Sequence, residues 1–336
     1  MNTSSYYRLK HFIPWTRMKI YRMLAVSIVP TALFYFLHWH WLAIPWVPVA
    51  LLGTAAAFIS GFRNTQTYNR AWEARQIYGA IINCSRTTGI MLRDFVRPAA
   101  DAPAIHKELF YRHFAWLTAL RFQLREVKSW ENMKTKSYNR EYLRYYKVPE
   151  WESNLADELK PYLSETEHSY ILSTKNRATQ VLAEQSRRLR ELHEAGAVND
   201  YNYTALEQQL KDLYDQQGKC ERIKNFPYPR QFASINLYFI NLLCLLLPFG
   251  FLGEFSKLMD KYGDAIIWLT VPFSVLIGWV FYSLEQIGEV TENPFEGSAN
   301  DIPITQISRN IEIDMREMLG ETELPEPVKV INDILM

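Results

Sequence analysis

Thr54, Phe58 and Phe62 recur every four residues along an uncharged segment, and on an α-helix that spacing keeps the three side chains within an arc of about 80°. A hydroxyl and two phenyl rings are poor reagents for covalent chemistry, but such a row can control water. Repeated in several copies around an axis, it would form stacked rings, a constriction that gates ions by dewetting. The small neighbours Gly53, Ala55, Ala56, Ala57, Ser60 and Gly61 would let the helices approach closely. The same spacing also describes an apolar face packed on a neighbouring helix, and spacing alone favours that reading. Immediately beyond the row, Arg63 and Arg70 stand seven residues apart on one face, where they could draw anions into an inner vestibule. Glu73, three residues after Arg70, could instead neutralise it. The sign of the ion is not fixed by these charges.

Other chemistry finds little support. His38 and His40 alternate, which is a weak metal-ligand signal on its own; in His38-Trp39-His40-Trp41 the rings suit a headgroup layer better. Cys84, Cys220 and Cys244 form neither a CxxC pair nor a His-paired set, so no disulfide framework or metal site is indicated. They read as reduced, inert thiols. No Gly-rich phosphate loop is present, and no cofactor is implied. The apolar segments hold no Asp, Glu, Lys or Arg until their inner ends, whereas intramembrane catalysis and proton relays need ionisable groups at depth. An enzyme is therefore the reading with least support. A net charge of +1 gives no basic face for nucleic acid.

The elements that must position the row are membrane spans. Mean hydropathy is only −0.19 with 22% charged residues, so the membrane character is concentrated in a few blocks. Met23 to Phe62 is free of charge over 40 residues, enough for two spans joined by a tight turn at His38 to Trp41. Further uncharged blocks run over 231–253 and 265–284, each near the roughly 20 residues that cross a bilayer. Four spans result. Arg8, Lys10, Arg17, Lys19 and Arg22 precede the first, with no acidic residue among them. No small-residue cleavage site follows at signal-peptide distance, so the first block is expected to be retained. The positive-inside tendency places the N-terminus, the C-terminus and residues 63–230 in the cytoplasm.

The organisation expected is thus a cytosolic segment 1–22, spans one and two over 23–62, a cytosolic helical domain 63–230, spans three and four over 231–284, and a cytosolic C-terminal segment and arm over 285–336. The class is all-α, without strand alternation or an internal repeat. In the middle region Leu206, Leu210 and Leu213 follow helical spacing, with Gly218 placed as a stop. Leu182, Leu189 and Leu192 do the same before Gly196, and another helix covers 107–127. Pro98, Pro103, Pro149 and Pro161 mark breaks. The second span continues without a breaker from Phe62 through Arg75, and a helix running from hydrocarbon into polar surroundings can line a passage.

These residues resemble a known family. Gly61-Phe62-Arg63-Asn64, Tyr68-Asn69-Arg70 and Trp72-Glu73-Ala74-Arg75, then Gly79 and Asn83 to Arg86, are similar to the bacterial branch of the bestrophin channels. So are Cys220-Glu221-Arg222-Ile223 ahead of Pro227 and Pro229, and Ile287-Gly288-Glu289 with Glu292-Asn293-Pro294-Phe295 and Asp301-Ile302-Pro303. The resemblance covers most of residues 5–320 in the right order. It implies a homopentamer in the bacterial inner membrane, with second-span helices around one pore, an apolar neck at Thr54, Phe58 and Phe62, and a lower constriction from the helix within 176–192. Thr54 departs from the larger aliphatic residue usual in the family. Animal members are calcium-activated chloride channels with an acidic clasp after Asn-Pro-Phe. Here Glu296-Gly297-Ser298-Ala299-Asn300-Asp301 keeps few of those carboxylates, and calcium needs six to eight oxygen ligands, so no calcium dependence is expected. Glu289, Glu292 and Asp301 also suit plain helix capping or inter-subunit contact. The arm beyond Ile302 is expected to pack on a neighbouring subunit.

The function implied is passive conduction of chloride or another monovalent anion through a hydrophobic neck. A monovalent cation channel of the same fold, and a non-conducting membrane-anchored interaction protein, are the alternatives.

Overall fold

The computed structural model describes all residues, 1–336. It is all-helical, with only isolated bridges joining Asn2 to Ile334 and Ile331 to Ile334. The helices are α1 (Leu9–Leu37), α2 (Trp46–Phe95), α3 (Ala102–Arg125), α4 (Ser137–Tyr142), α5 (Pro149–Glu152), α6 (Leu155–Leu159) and α7 (Glu165–Ser173). They continue with α8 (Arg177–Glu194), α9 (Asp200–Asn225), α10 (Arg230–Ser256), α11 (Met259–Tyr262), α12 (Thr270–Thr291) and α13 (Ile304–Met318). Four segments are long and apolar enough to span a membrane: α1, the beginning of α2, α10, and α12 with the 3-10 turn before it. The chain is an integral membrane protein of four spans with a large helical domain beyond them.

The main core, a cluster of 34 buried residues, lies outside the spans around Phe110, Phe114, Trp116 and Leu120. The spans hold two small clusters, of 8 and 4 residues. That imbalance follows from solvent: the domain must hide its apolar faces from water, while the spans can leave Leu51, Leu245 and Leu276 exposed to lipid or to other copies. α2 belongs to both layers. It packs on α10 and α12 within the spans and on α9 and α13 in the domain.

Helix ends do not coincide with the edges of the uncharged blocks. α1 starts at Leu9, ahead of the block that opens at Met23, so Lys10, Arg17, Lys19 and Arg22 ride on the helix. Charges end a hydropathic run but not a helix. Lys19 and Arg22 both lie over the Tyr282 ring, at 4.7 and 5.6 Å. The division between 62 and 63 falls inside α2, which is one helix of 50 residues. Gly218 stops nothing: α9 passes through it to Asn225 with Leu206, Leu210, Leu213, Cys220 and Ile223 buried along one face, which outweighs the roughly 1 kcal/mol a helical glycine costs. Pro103 and Pro149 open helices rather than break them. Gly196, at φ 78°, does close α8. α13 packs on this chain's own α2 and α3.

Candidate functional site: the second span and the polar junction beneath it

On the single chain Thr54, Phe58 and Phe62 are all exposed, Phe58 at 79% and Phe62 at 48%. The opposite side of α2 carries the buried residues Ala56, Ser60, Arg63 and Thr67. Packing within the chain therefore does not account for the row. Only Phe62 leans on a neighbour, Phe232 of α10, with ring centroids 6.3 Å apart. The Thr54 hydroxyl is satisfied inside the helix, donating to the Ala50 carbonyl at 3.0 Å. The buried side is locked by Ser60, whose Oγ donates to Asn236 Oδ1 at 2.8 Å.

Arg63 corrects the sequence reading. It is 3% exposed, with Nη1 on Glu285 Oε1 at 3.0 Å and Nη2 on Glu292 Oε2 at 3.2 Å. A guanidinium neutralised twice and hidden from water cannot draw ions into a vestibule. Arg70 is likewise committed. Its Nε donates to the Glu292 carbonyl at 2.8 Å, and its Nη2 donates to the carbonyls of Ile223 and Phe226. It ties α2 to the end of α9 and the end of α12. Glu73 pairs with Arg222, not with Arg70. Trp72, 48% exposed, stacks on Tyr68 at 6.4 Å, and Arg75 is exposed.

The rest of the junction is built from the C-terminal end of α12. Glu292 also accepts from Arg230 at 3.1 Å, and Glu289 holds Lys136 at 3.0 Å and accepts from the Tyr138 hydroxyl. α12 can come this close to α2 because residue 288 is glycine: a Cβ there would lie 2.4 Å from Asn64 Oδ1. Asn64 Nδ2 in turn donates to the Leu284 carbonyl at 3.1 Å.

The segment after α12 is buried from Glu292 to Ala299. Asn293 is 6% exposed and its Nδ2 has no partner; Pro294 is buried beside it. Phe295 packs on Tyr78, with centroids 5.8 Å apart. Asp301 Oδ2 accepts from Arg125 Nη1 at 3.2 Å and from the Gly297 N–H at 2.7 Å. Arg125 Nε is 3.7 Å from Glu150, which also binds Arg121 at 2.7 Å and accepts from Thr305 Oγ1 at 2.6 Å. Burial pushes the Asp301 carboxyl up to about 6, against the pull of Arg125. It pushes Glu296 well above the carboxylate range too, a direction the Asp301 charge reinforces. Glu150, though buried, is held below its ordinary value by Arg125 and Arg121. In this loop the carboxylate oxygens largely accept from protein donors, the Asn132 N–H on Glu296 Oε2 at 2.8 Å among them.

Sequence reasoning missed the roles of Glu285, Arg121, Arg125, Glu150 and Asn132. One signal was present. Glu285, Glu289 and Glu292 are spaced by four and three residues, a single acidic helix face at the end of an apolar span, which calls for a cation on the facing helix.

Four spans, one of them carried unbroken into a helical domain, and a buried ionic junction where they meet define an all-α membrane protein whose second span is the central strut. The chain belongs to the bestrophin family: the family described as Bacterial/Fungal Bestrophin protein matches residues 13–317. It is 27% identical over 281 residues to the Voltage-dependent anion channel-forming protein YneE of Escherichia coli K12, covering 84% of this chain and 79% of that one. With the Voltage-dependent anion channel-forming protein RSc3414 of Ralstonia nicotianae it shares 25% identity over 316 residues, 93% of this chain and 90% of the relative. The crystal structure of a bacterial bestrophin homologue from Klebsiella pneumoniae superposes with a TM-score of 0.74 at 25% identity, over 91% of this chain and 99% of that one.

Proposed function

We propose that this protein is a passive, anion-conducting channel whose pore is lined by α2 from several copies of the chain, with Thr54, Phe58 and Phe62 as a hydrophobic neck. The observation that carries this reading is the exposure of Phe58 and Phe62 on the span that runs unbroken into the helical domain and buries Ala56, Ser60, Arg63 and Thr67 on its other side. An apolar row open on a span can face lipid or other copies; what favours a water path is that the same exposed line of α2 runs on into the polar residues Thr65, Gln66 and Asn69. The names of the Escherichia coli and Ralstonia relatives support anions as the ions carried. Chloride, as the abundant monovalent anion, is the first to test. The assembly is a pentamer in the bacterial inner membrane, with both termini and the helical domain 63–230 in the cytoplasm; the basic cluster Arg8, Lys10, Arg17, Lys19 and Arg22 supports that orientation.

Purified protein in a planar bilayer under a KCl gradient tests the reading. The reversal potential should sit near the chloride equilibrium value. A value near that of potassium would make it a cation channel of the same fold, and a silent bilayer would leave a membrane-anchored interaction protein.

A further inference from the structure

Below the neck the exposed line of α2 continues. Phe62, Asn69, Gln76, Asn83 and Ile90 stand seven residues apart and all are exposed. On a helix each such step advances about 10 Å and drifts by only about 20°, so the five form one nearly straight file. Thr65, Trp72 and Thr87 flank it and are exposed as well. No member of the file carries a formal charge; the charged residues at flanking positions, Glu73 and Arg86, are each ion-paired, to Arg222 and to Asp314.

Elsewhere in the helical domain an exposed helix face looks different. The open side of α8 is a lattice of charges, with Arg187 bridging Glu184 and Glu191, and Arg190 near Glu194. That is the ordinary way to solvate a helix. On α2 the charges are moved off the file and tied down: Arg63 to Glu285 and Glu292, Arg70 to backbone carbonyls, Glu73 to Arg222, Arg86 to Asp314 at 2.6 Å, and Arg93 to Asp94. Arg75 is the exception. It is exposed about 100° around the helix from Gln76, within reach of the file for a long side chain, and its guanidinium makes no ion pair or hydrogen bond within the chain.

We propose that Asn69, Gln76 and Asn83 are the ion-coordinating rungs of an inner vestibule, and that Arg75 sets its preference for monovalent anions. The inference rests on α2 lining the pore. A primary amide offers N–H donors to an anion without a fixed charge that would trap it, and conduction needs binding weak enough to release. Rungs about 10 Å apart let an ion re-solvate between them. An amide is indifferent to sign because its carbonyl serves cations equally; an unpaired cation beside the rungs breaks that symmetry. Arg75 thus takes the role that the sequence reading gave to Arg63 and Arg70.

The test is the chloride-to-potassium permeability ratio from reversal potentials in asymmetric KCl, with Phe58→Ala as a control on the parent reading. Gln76→Glu and Arg75→Glu should each lower the ratio, by about fivefold if one charge acts at a few ångströms in water, and Arg75→Lys should keep it. Because these side chains are exposed, the variants should elute with the parent assembly. Should Gln76→Glu fail to assemble, Asn69→Asp and Asn83→Asp carry the same expectation. If Phe58→Ala raises conductance while the acidic variants leave the ratio unchanged, the rungs are refuted and the neck stands. If neither the control nor the acidic variants alter the current, α2 does not line the pore and both readings fall.

Discussion

The two sides of α2 invert the usual partition of side chains. The side packed on α10 and α12 buries an arginine between two glutamates, while the opposite side leaves two phenylalanines open. In a water-soluble helix the arrangement would be reversed, because hydrocarbon seeks burial and charge seeks water. Here the charges at the end of the span belong to its architecture and the apolar residues to its free surface. Charges near a membrane passage therefore cannot be assigned to ions until their protein partners are known; Arg63 looks like an ion-binding residue only as long as Glu285 and Glu292 are out of view.

The comparison is broken most directly at Arg63. Its side chain is 4% exposed, and those of Glu285 and Glu292 are 6% and 1%. Arg63→Ala leaves buried Glu285 without its ion-pair partner and Glu292 with Arg230 alone, a change that costs about 3–5 kcal/mol. A thermal melt of the detergent-solubilised assembly, read by size-exclusion, should show a large loss of stability or no assembly at all. Melting together with the parent would mean that the junction does not hold α2 to α12.

A second buried charge, outside the spans, sharpens the same point through pH. Burial raises the Asp301 carboxyl to about 6, above its value in the unfolded chain, so the folded state holds the proton more tightly. Its contribution to stability is therefore full below about pH 4, declines as pH rises towards about 6, and is flat beyond, an effect on the order of 3 kcal/mol. Glu150, lowered by its arginines, acts with the opposite slope and loses its contribution as pH falls. In denaturation curves taken between pH 4 and 7, Asp301→Asn should remove the Asp301 share of the decline and leave the share of Glu296, which burial also raises; the Glu150 loss falls below that window. An unchanged profile would show that Asp301 does not titrate in that window.

These two sites also show which parts of the molecule could be read from the sequence. The four spans were legible because hydrocarbon excludes charge over whole stretches, such as 23–62 and 231–253. Their ends were not, since Lys19 and Arg22 keep their cations over the Tyr282 ring while the helix runs on beneath them. The exposed row was visible as spacing, but spacing is the same for a packed face and an open one. The junction was hidden for a stronger reason: Arg63 meets Glu285 across 222 residues of sequence, and no local pattern encodes that pairing. Gly218 misled because an intrinsic propensity of about 1 kcal/mol is small beside the packing of Leu213 and Cys220 on either side of it.

Between the extremes lies Gly288, where α12 touches α2. A methyl group there would stand 2.4 Å from Asn64 Oδ1, and the Asn64 amide is itself committed to the Leu284 carbonyl. Gly288→Ala should destabilise by about 1–3 kcal/mol as the helices are pushed apart, measured by the same melt. Gly61→Ala, with nothing within 4 Å of its added Cβ, is the matched control and should be neutral or stabilising by up to about 1 kcal/mol.

The smallest effect on stability and the clearest on conduction should come from the same residue. Phe58 is 79% exposed on the chain, so Phe58→Ala removes little packing and should shift the melt by no more than about 0.5 kcal/mol. If its ring lines the neck, widening that ring raises unitary conductance in a planar bilayer. Arg63→Ala should do the reverse: lose the assembly and, in whatever channel survives, keep the ion preference. A Phe58→Ala protein that melted far below the parent with its conductance unchanged would place Phe58 in a packed contact between subunits, and the open side of α2 would then be an interface and not a pore.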